Sequence, residues 1–207
     1  MARFVFVHGA WHGGWCFELV RGELERRGHT VDAPDLPCDR VGLTPLDYAG
    51  IVGPQPDAVV VGHSLGGLTI PFVEAGMRVY LAALLPVADV YRDGLLPEFG
   101  GTLRDEQGRS YWPDEETACR RMYPDCARGL AEAAFVRLRP QAPLQALEHP
   151  VEQDDVVVAT LHDGAVDPAW QLRAGREHVR RVHELDAGHS PFFTHPVELA
   201  DLLETLA

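Results

Sequence analysis

No stretch of this chain approaches the about 18 consecutive apolar residues a membrane-spanning helix needs, so none is expected. The N-terminal run Phe4–Val7 is also too short for the apolar core of a secretory signal, and it leads straight into His8-Gly9. Cysteine is sparse. Cys16, Cys38, Cys119 and Cys126 contain no C-x-x-C pair, a spacing that points to neither a zinc site nor a disulfide framework and leaves a reduced cytoplasmic protein as the expectation. Positive charge is scarce too. Eighteen Lys and Arg against 31 Asp and Glu leave a net charge of −13, which argues against nucleic acid or an anionic membrane as a partner. Internal repeats and low-complexity tracts are absent.

What remains is an ordinary globular composition, 46% hydrophobic and 24% charged, long enough at 207 residues for one sizeable core. Apolar, β-branched strands are expected at residues 2–8, 29–34, 58–62, 79–85, 156–161 and 179–185. Helices are expected at 16–27, 46–51, 65–76, 168–176 and 197–206. Strands that alternate with helices and are apolar on both faces predict an α/β fold with a parallel sheet. Residues 87–150 differ, with scattered Pro and Gly and short helical patterns at 115–122, 127–136 and 144–147. They read as a cap inserted into a single domain spanning 1–207, because they lack the periodicity to own a core.

The chemistry centres on Val59-Val60-Val61-Gly62-His63-Ser64-Leu65-Gly66-Gly67, a G-x-S-x-G with a strand before it and helix-compatible sequence after it. Such a turn presents the serine on a strained corner that only glycine neighbours tolerate. Catalytic residues of parallel sheets gather at the carboxyl ends of strands. There the chain places Ser64, then Asp163, then His189, the nucleophile–acid–base order of a hydrolase triad. A serine hydroxyl needs a base to take its proton and an anion to orient that base. Asp89, after the fourth strand, is a rival acid; Asp167 and Asp186 are weaker ones. His63 reads as packing behind the turn and His195 as a helix-start residue. His8 and His12 form a weak metal pair with no third ligand, so no metal is expected. Gly9, Trp11, Leu65, Phe192 and Phe193 flank these residues and are candidate pocket walls. Tyr91, Leu95, Leu96, Phe99, Tyr111, Trp112 and Met122 are candidate lid residues, and Trp15 is expected in the core.

Three stretches, F-V-F-V-H-G-A-W-H-G-G-W-C at 4–16, V-V-V-G-H-S-L-G-G at 59–67 and L-D-A-G-H-S-P-F-F-T-H-P at 185–196, resemble the α/β-hydrolase superfamily. Within it they resemble the branch that holds the plant methylesterases, the hydroxynitrile lyases and their bacterial relatives. The resemblance implies a six-stranded, mainly parallel sheet in the order 2-1-3-4-5-6 with helices on both faces. It implies Ser64 as nucleophile, His189 as base, Asp163 as acid, and the backbone N–H groups of Ala10 and Leu65 as an oxyanion hole. Gly9 would let the backbone pass beneath the reacting carbonyl. Hydroxynitrile lyases of this branch carry Thr where this chain has Gly9, and Lys where it has Ser190. The implied reaction is therefore cofactor-free hydrolysis of small, fairly apolar esters or lactones. A lyase of the hydroxynitrile kind and a ligand receptor on the same fold are the alternatives. The expected partner is the small-molecule ester itself, with a homodimer left open because the segment 35–57 and the cap are both compact.

Overall fold

The computed structural model describes residues 1–96 and 100–207. Six strands form one parallel sheet: β1 (Arg3–Val7), β2 (Thr30–Asp32), β3 (Gln55–His63), β4 (Ala75–Leu81), β7 (Val156–Thr160) and β8 (Arg181–Leu185), in the order β2-β1-β3-β4-β7-β8. This is the order the resemblance implied. Successive side chains of a strand point to opposite faces, and here both faces are covered. Phe4, Phe6, Val59, Val61, Val79 and Leu81 face a layer that includes α1 (Glu18–Arg26) and α8 (Pro196–Leu206). Val5, Val7, Val60, Tyr80 and Val157 face α2 (Pro45–Val52) and α6 (Pro168–His178) on the other side. Thr44 starts α2 with a capping box: its hydroxyl accepts from the Asp47 N–H while the Asp47 carboxylate accepts from the Thr44 N–H.

Two expected elements next to the serine differ. The helix at 65–76 is instead a pair of short 3₁₀ turns, Ser64–Leu68 and Ile70–Phe72. Only eleven residues separate the end of β3 from the start of β4, and Pro71 lacks the N–H that would continue a helix. The fourth strand runs Ala75–Leu81 rather than 79–85, because Ala82 turns to a left-handed φ of 46° and ends the ladder. Ala82–Leu85 stay buried, but as a loop beneath the site.

Between β4 and β7 the chain forms α3 (Val90–Asp93), a two-stranded antiparallel hairpin of β5 (Leu103–Arg104) and β6 (Ser110–Tyr111), α4 (Glu115–Met122) and α5 (Arg128–Phe135). The hairpin is additional to the expected elements. Its turn is built on Asp105, whose carboxylate accepts from the Gln107 and Arg109 N–H groups and from the Arg109 guanidinium. Residues 144–147 are irregular rather than helical, with the Leu144 carbonyl accepting from the Tyr91 hydroxyl at 2.7 Å. Phe99 lies outside the described residues. The last turn, α7 (Pro191–Thr194), leads directly into α8. No described helix is long and apolar enough to cross a membrane.

Candidate active site

Ser64 follows directly on β3 with a left-handed φ of 52°, a conformation costly for a residue that carries a side chain. Its neighbours explain how the turn is held. A Cβ at Gly66 would collide with the Val7 carbonyl oxygen, and one at Gly9 would stand 2.8 Å from Ser64 Cβ and 3.1 Å from the His63 carbonyl. The backbones of the β1 loop and the serine turn therefore touch, which only glycine at both places permits.

Facing Ser64, the Nε2 of His189 accepts from the serine hydroxyl at 3.1 Å. The opposite ring nitrogen, Nδ1, donates to Asp163 at 2.9 Å to Oδ1 and 3.0 Å to Oδ2. All three residues are buried. Asp163 is fixed by four further donors: the Ala165 and Val166 N–H groups on Oδ1, and the Thr160 hydroxyl and Gln171 amide on Oδ2. This donor set fixes the orientation of the carboxylate toward His189. The rival Asp89 points to the surface, where it pairs with Arg92 at 3.0 Å. Asp186 pairs with His162 in solvent at 2.6 Å, and Asp167 caps α6 through the Ala169 N–H.

Three further histidines, His8, His12 and His63, form a neutral scaffold around this relay. His63 donates from Nε2 to the His189 carbonyl at 2.9 Å and lies edge-on to Phe192. Burial holds its pKa well below the ordinary value. His12 donates from Nδ1 to the Ala10 carbonyl and accepts at Nε2 from the Tyr123 hydroxyl, and burial lowers its pKa to about 3. His8 donates to the Gly9 carbonyl and accepts from the Leu36 N–H, with its pKa lowered by burial to about 4. Both ring nitrogens of His8 and His12 are thus used on protein partners. Among the described residues no group of three or more His, Cys, Asp or Glu is arranged to hold a metal ion.

The relay opens into a cavity of about 390 Å³ whose walls include Ala10, Trp11, Leu65, Leu84, Tyr91 and Leu95. Leu65 stands in the first turn of a 3₁₀ helix, where N–H groups lack intrahelical partners. Three residues expected to line the pocket do not. Phe192 and Phe193 are buried in an aromatic cluster with Phe17 and Tyr123, behind His63. Gly9 contributes its close approach to Ser64 rather than a wall. From the expected lid, Tyr91 and Leu95 reach the cavity, Trp112 packs on Trp11 with centroids 5.1 Å apart, and Met122 is core. Leu96 donates its N–H to the Ala165 carbonyl, beside the Asp163 turn, and Tyr111 is partly exposed.

Several residues of the site carried no local signal. Gln171 on α6 holds Asp163 while its own carbonyl accepts from the Thr160 N–H. Asp125, between α4 and α5, accepts from the Gly188 N–H at 2.7 Å and so tethers the His189 loop to the cap. Arg104, Ser110 and Gln141 complete the cavity wall. A polar residue at helical spacing in α6, or an acidic residue in a cap, is indistinguishable by sequence from a solvated one.

A carbendazim-hydrolysing esterase of Nocardioides sp. is 35% identical over 116 residues, covering 50% of this chain and 46% of that protein. Methylesterase 7 of Arabidopsis thaliana is 32% identical over 105 residues, 41% of this chain and 40% of its own length. The chain thus spans about half the length of these curated relatives. Methylesterase 10 of Arabidopsis thaliana aligns across 99% of this chain and 91% of its own, at 25% identity. A crystallised methylesterase from Arabidopsis superposes with a TM-score of 0.77 at 24% identity, covering 99% and 98% of the two chains. The family model described as "Alpha/beta hydrolase family" matches residues 4–202. Fold, strand order and a match across nearly the whole chain agree: the protein belongs to the α/β-hydrolase family.

Proposed function

We propose that this chain hydrolyses small carboxylic esters, lactones included, through an acyl-serine intermediate and without a cofactor. The observation that carries the reading is the buried, unbroken relay from Asp163 through His189 to Ser64, opening on a mostly apolar cavity. Ser64 Oγ attacks the ester carbonyl while His189 Nε2 takes its proton. The imidazolium that forms is stabilised by Asp163, which stays ionised. The Ala10 and Leu65 N–H groups receive the oxyanion, a pair of donors commonly worth about 10²–10³ in rate each. His189 then returns the proton to the departing alkoxide. Water, activated by the same imidazole, releases the acyl group.

Gly9 and Ser190 support hydrolysis over the lyase alternative, since Gly9 lacks the hydroxyl and Ser190 the cation that the resembling lyases carry at those positions. The esterase names among the relatives support the same class. With p-nitrophenyl acetate and butyrate the wild type is expected to turn over many times. Ser64→Ala should lose about 10⁶ in kcat and Asp163→Asn about 10⁴. Wild-type turnover by Ser64→Ala would disprove the assignment. A single burst of product without a steady state would favour the receptor.

A further inference from the structure

Among the described residues that line the cavity, Arg104 is the one charged side chain. Its place is fixed by the fold. Arg104 pairs with Ser110 across the β5–β6 hairpin, and Ser110 exchanges backbone hydrogen bonds with Gln141 at 2.8 Å each way. The Trp11 indole donates to the Ser110 carbonyl at 3.0 Å and to its hydroxyl at 3.2 Å. Trp11 follows Ala10, so the hairpin carrying Arg104 is bonded to the loop that flanks the serine.

The guanidinium has five N–H donors, and Nη1 donates to the Gly108 carbonyl at 2.8 Å. Arg104 joins no ion pair among the described residues, whereas the neighbouring Arg109 is matched to Asp105 at 2.7 Å. An exposed cation with no counter-ion among the described residues, on a protein of net charge −13 and at the wall of a mostly apolar cavity, offers a local site for an anion.

Resting on the esterase reading above, we propose that Arg104 selects esters bearing a second, anionic group: a carboxylate elsewhere on the molecule, as in a half-ester of a dicarboxylic acid. Arginine forms two parallel hydrogen bonds to a carboxylate, which gives geometric selection as well as affinity. Ser110 and Gln141 stand on the same wall, the Ser110 hydroxyl donating to the Gln141 carbonyl at 3.3 Å and the Gln141 amide to the Ala142 carbonyl at 2.7 Å.

The test compares mono-p-nitrophenyl succinate, glutarate and adipate with the neutral p-nitrophenyl esters of matching chain length, so that the spacing between ester and carboxylate is scanned. The readout is the ratio of kcat/KM for the anionic over the neutral ester. For the best-fitting length the wild type should favour the anion by about 10- to 100-fold, the range of a charge-assisted hydrogen bond. The preference should shrink as ionic strength rises. Arg104→Gln should bring the ratio to the level of the unassisted ester, Arg104→Lys should retain part of it, and Arg104→Glu should invert it. A wild-type ratio near one at every length, or a ratio that Arg104→Gln leaves intact, overturns the proposal.

Binding separates this from the hydrolase reading. Ser64→Ala titrated calorimetrically with monomethyl glutarate and with methyl valerate should bind the anion more tightly, and Ser64→Ala/Arg104→Gln should not. That preference without turnover in the wild type would refute the hydrolase assignment alone. Turnover without it would refute the role of Arg104 alone. Should Arg104→Gln fail to fold, the salt dependence of the wild-type ratio decides the question, since a salt-independent ratio contradicts an ionic contact.

Discussion

Acidification from pH 7.5 to 5 should destabilise this fold through the three buried histidines that scaffold the site. His8 and His12 are neutral in the folded chain, with pKa values lowered by burial to about 4 and about 3, and His63 is held well below the ordinary value. The sign follows from proton counting. Between those values and about 6.5 the unfolded chain binds a proton on each histidine and the folded chain does not. Their contribution is therefore fully present above about pH 6.5 and falls away as the pH drops toward 4. At pH 5 His8 and His12 cost about 2 kcal/mol each and His63 adds to the loss in the same direction, a large share of a typical 5–15 kcal/mol. Carboxylates held below their ordinary range, such as Glu23 and Asp47, titrate below this window, while Asp155, raised by burial, works against the loss as the pH falls. The assay is urea unfolding followed by far-UV circular dichroism at half-unit intervals of pH. With a slope near 3 kcal/mol per molar, His8 and His12 alone should lower the midpoint by more than about 1 M. A shift below about 0.5 M, or a pH slope equivalent to less than one proton, would refute the claim that these imidazoles are locked neutral.

Two further predictions follow from the packing. Gly9→Ala places a Cβ 2.8 Å from Ser64 Cβ and against the His63 carbonyl, so the serine turn must shift. Stability should fall by about 1–3 kcal/mol, and kcat more than tenfold, measured by thermal melting and ester turnover; unchanged turnover would contradict the close approach. Gln171→Met removes a donor to Asp163 and leaves the Thr160 N–H without its acceptor. The expected loss is about 1–3 kcal/mol in stability, with kcat reduced while KM for a neutral ester changes little. An unaltered kcat would show that Gln171 does not position the carboxylate.

The parts of the fold legible in the sequence are those encoded locally. Runs such as Val59–Val61 and Val156–Val158 are apolar on both faces because both faces are covered, and that alone implies a parallel sheet between helices. The glycines around Ser64, and the loops carrying Asp163 and His189, each announce a strand end within a few residues, and the structure brings the three side chains together. Beyond them the sequence signal fades. The 65–76 helix fails because tight chain length and Pro71 override its propensity. Phe192 and Phe193, adjacent to His189 in sequence, turn inward and support His63 rather than the cavity. Gln171 and Asp125 reach the site from α6 and the cap through contacts 8 and 63 residues distant, the hairpin carrying Arg104 is tied to it by the Trp11–Ser110 bond 99 residues apart, and no periodicity encodes such pairings.

The central claim is that Ser64 is a nucleophile made reactive by His189 and Asp163. Stoichiometric labelling with a fluorophosphonate, mapped by peptide mass spectrometry and followed against ester turnover, tests it most directly. One adduct on Ser64, with turnover falling in proportion to labelling and labelling slowed strongly in His189→Ala, is the expected result. Labelling at another residue, or turnover that survives full modification of Ser64, would contradict it.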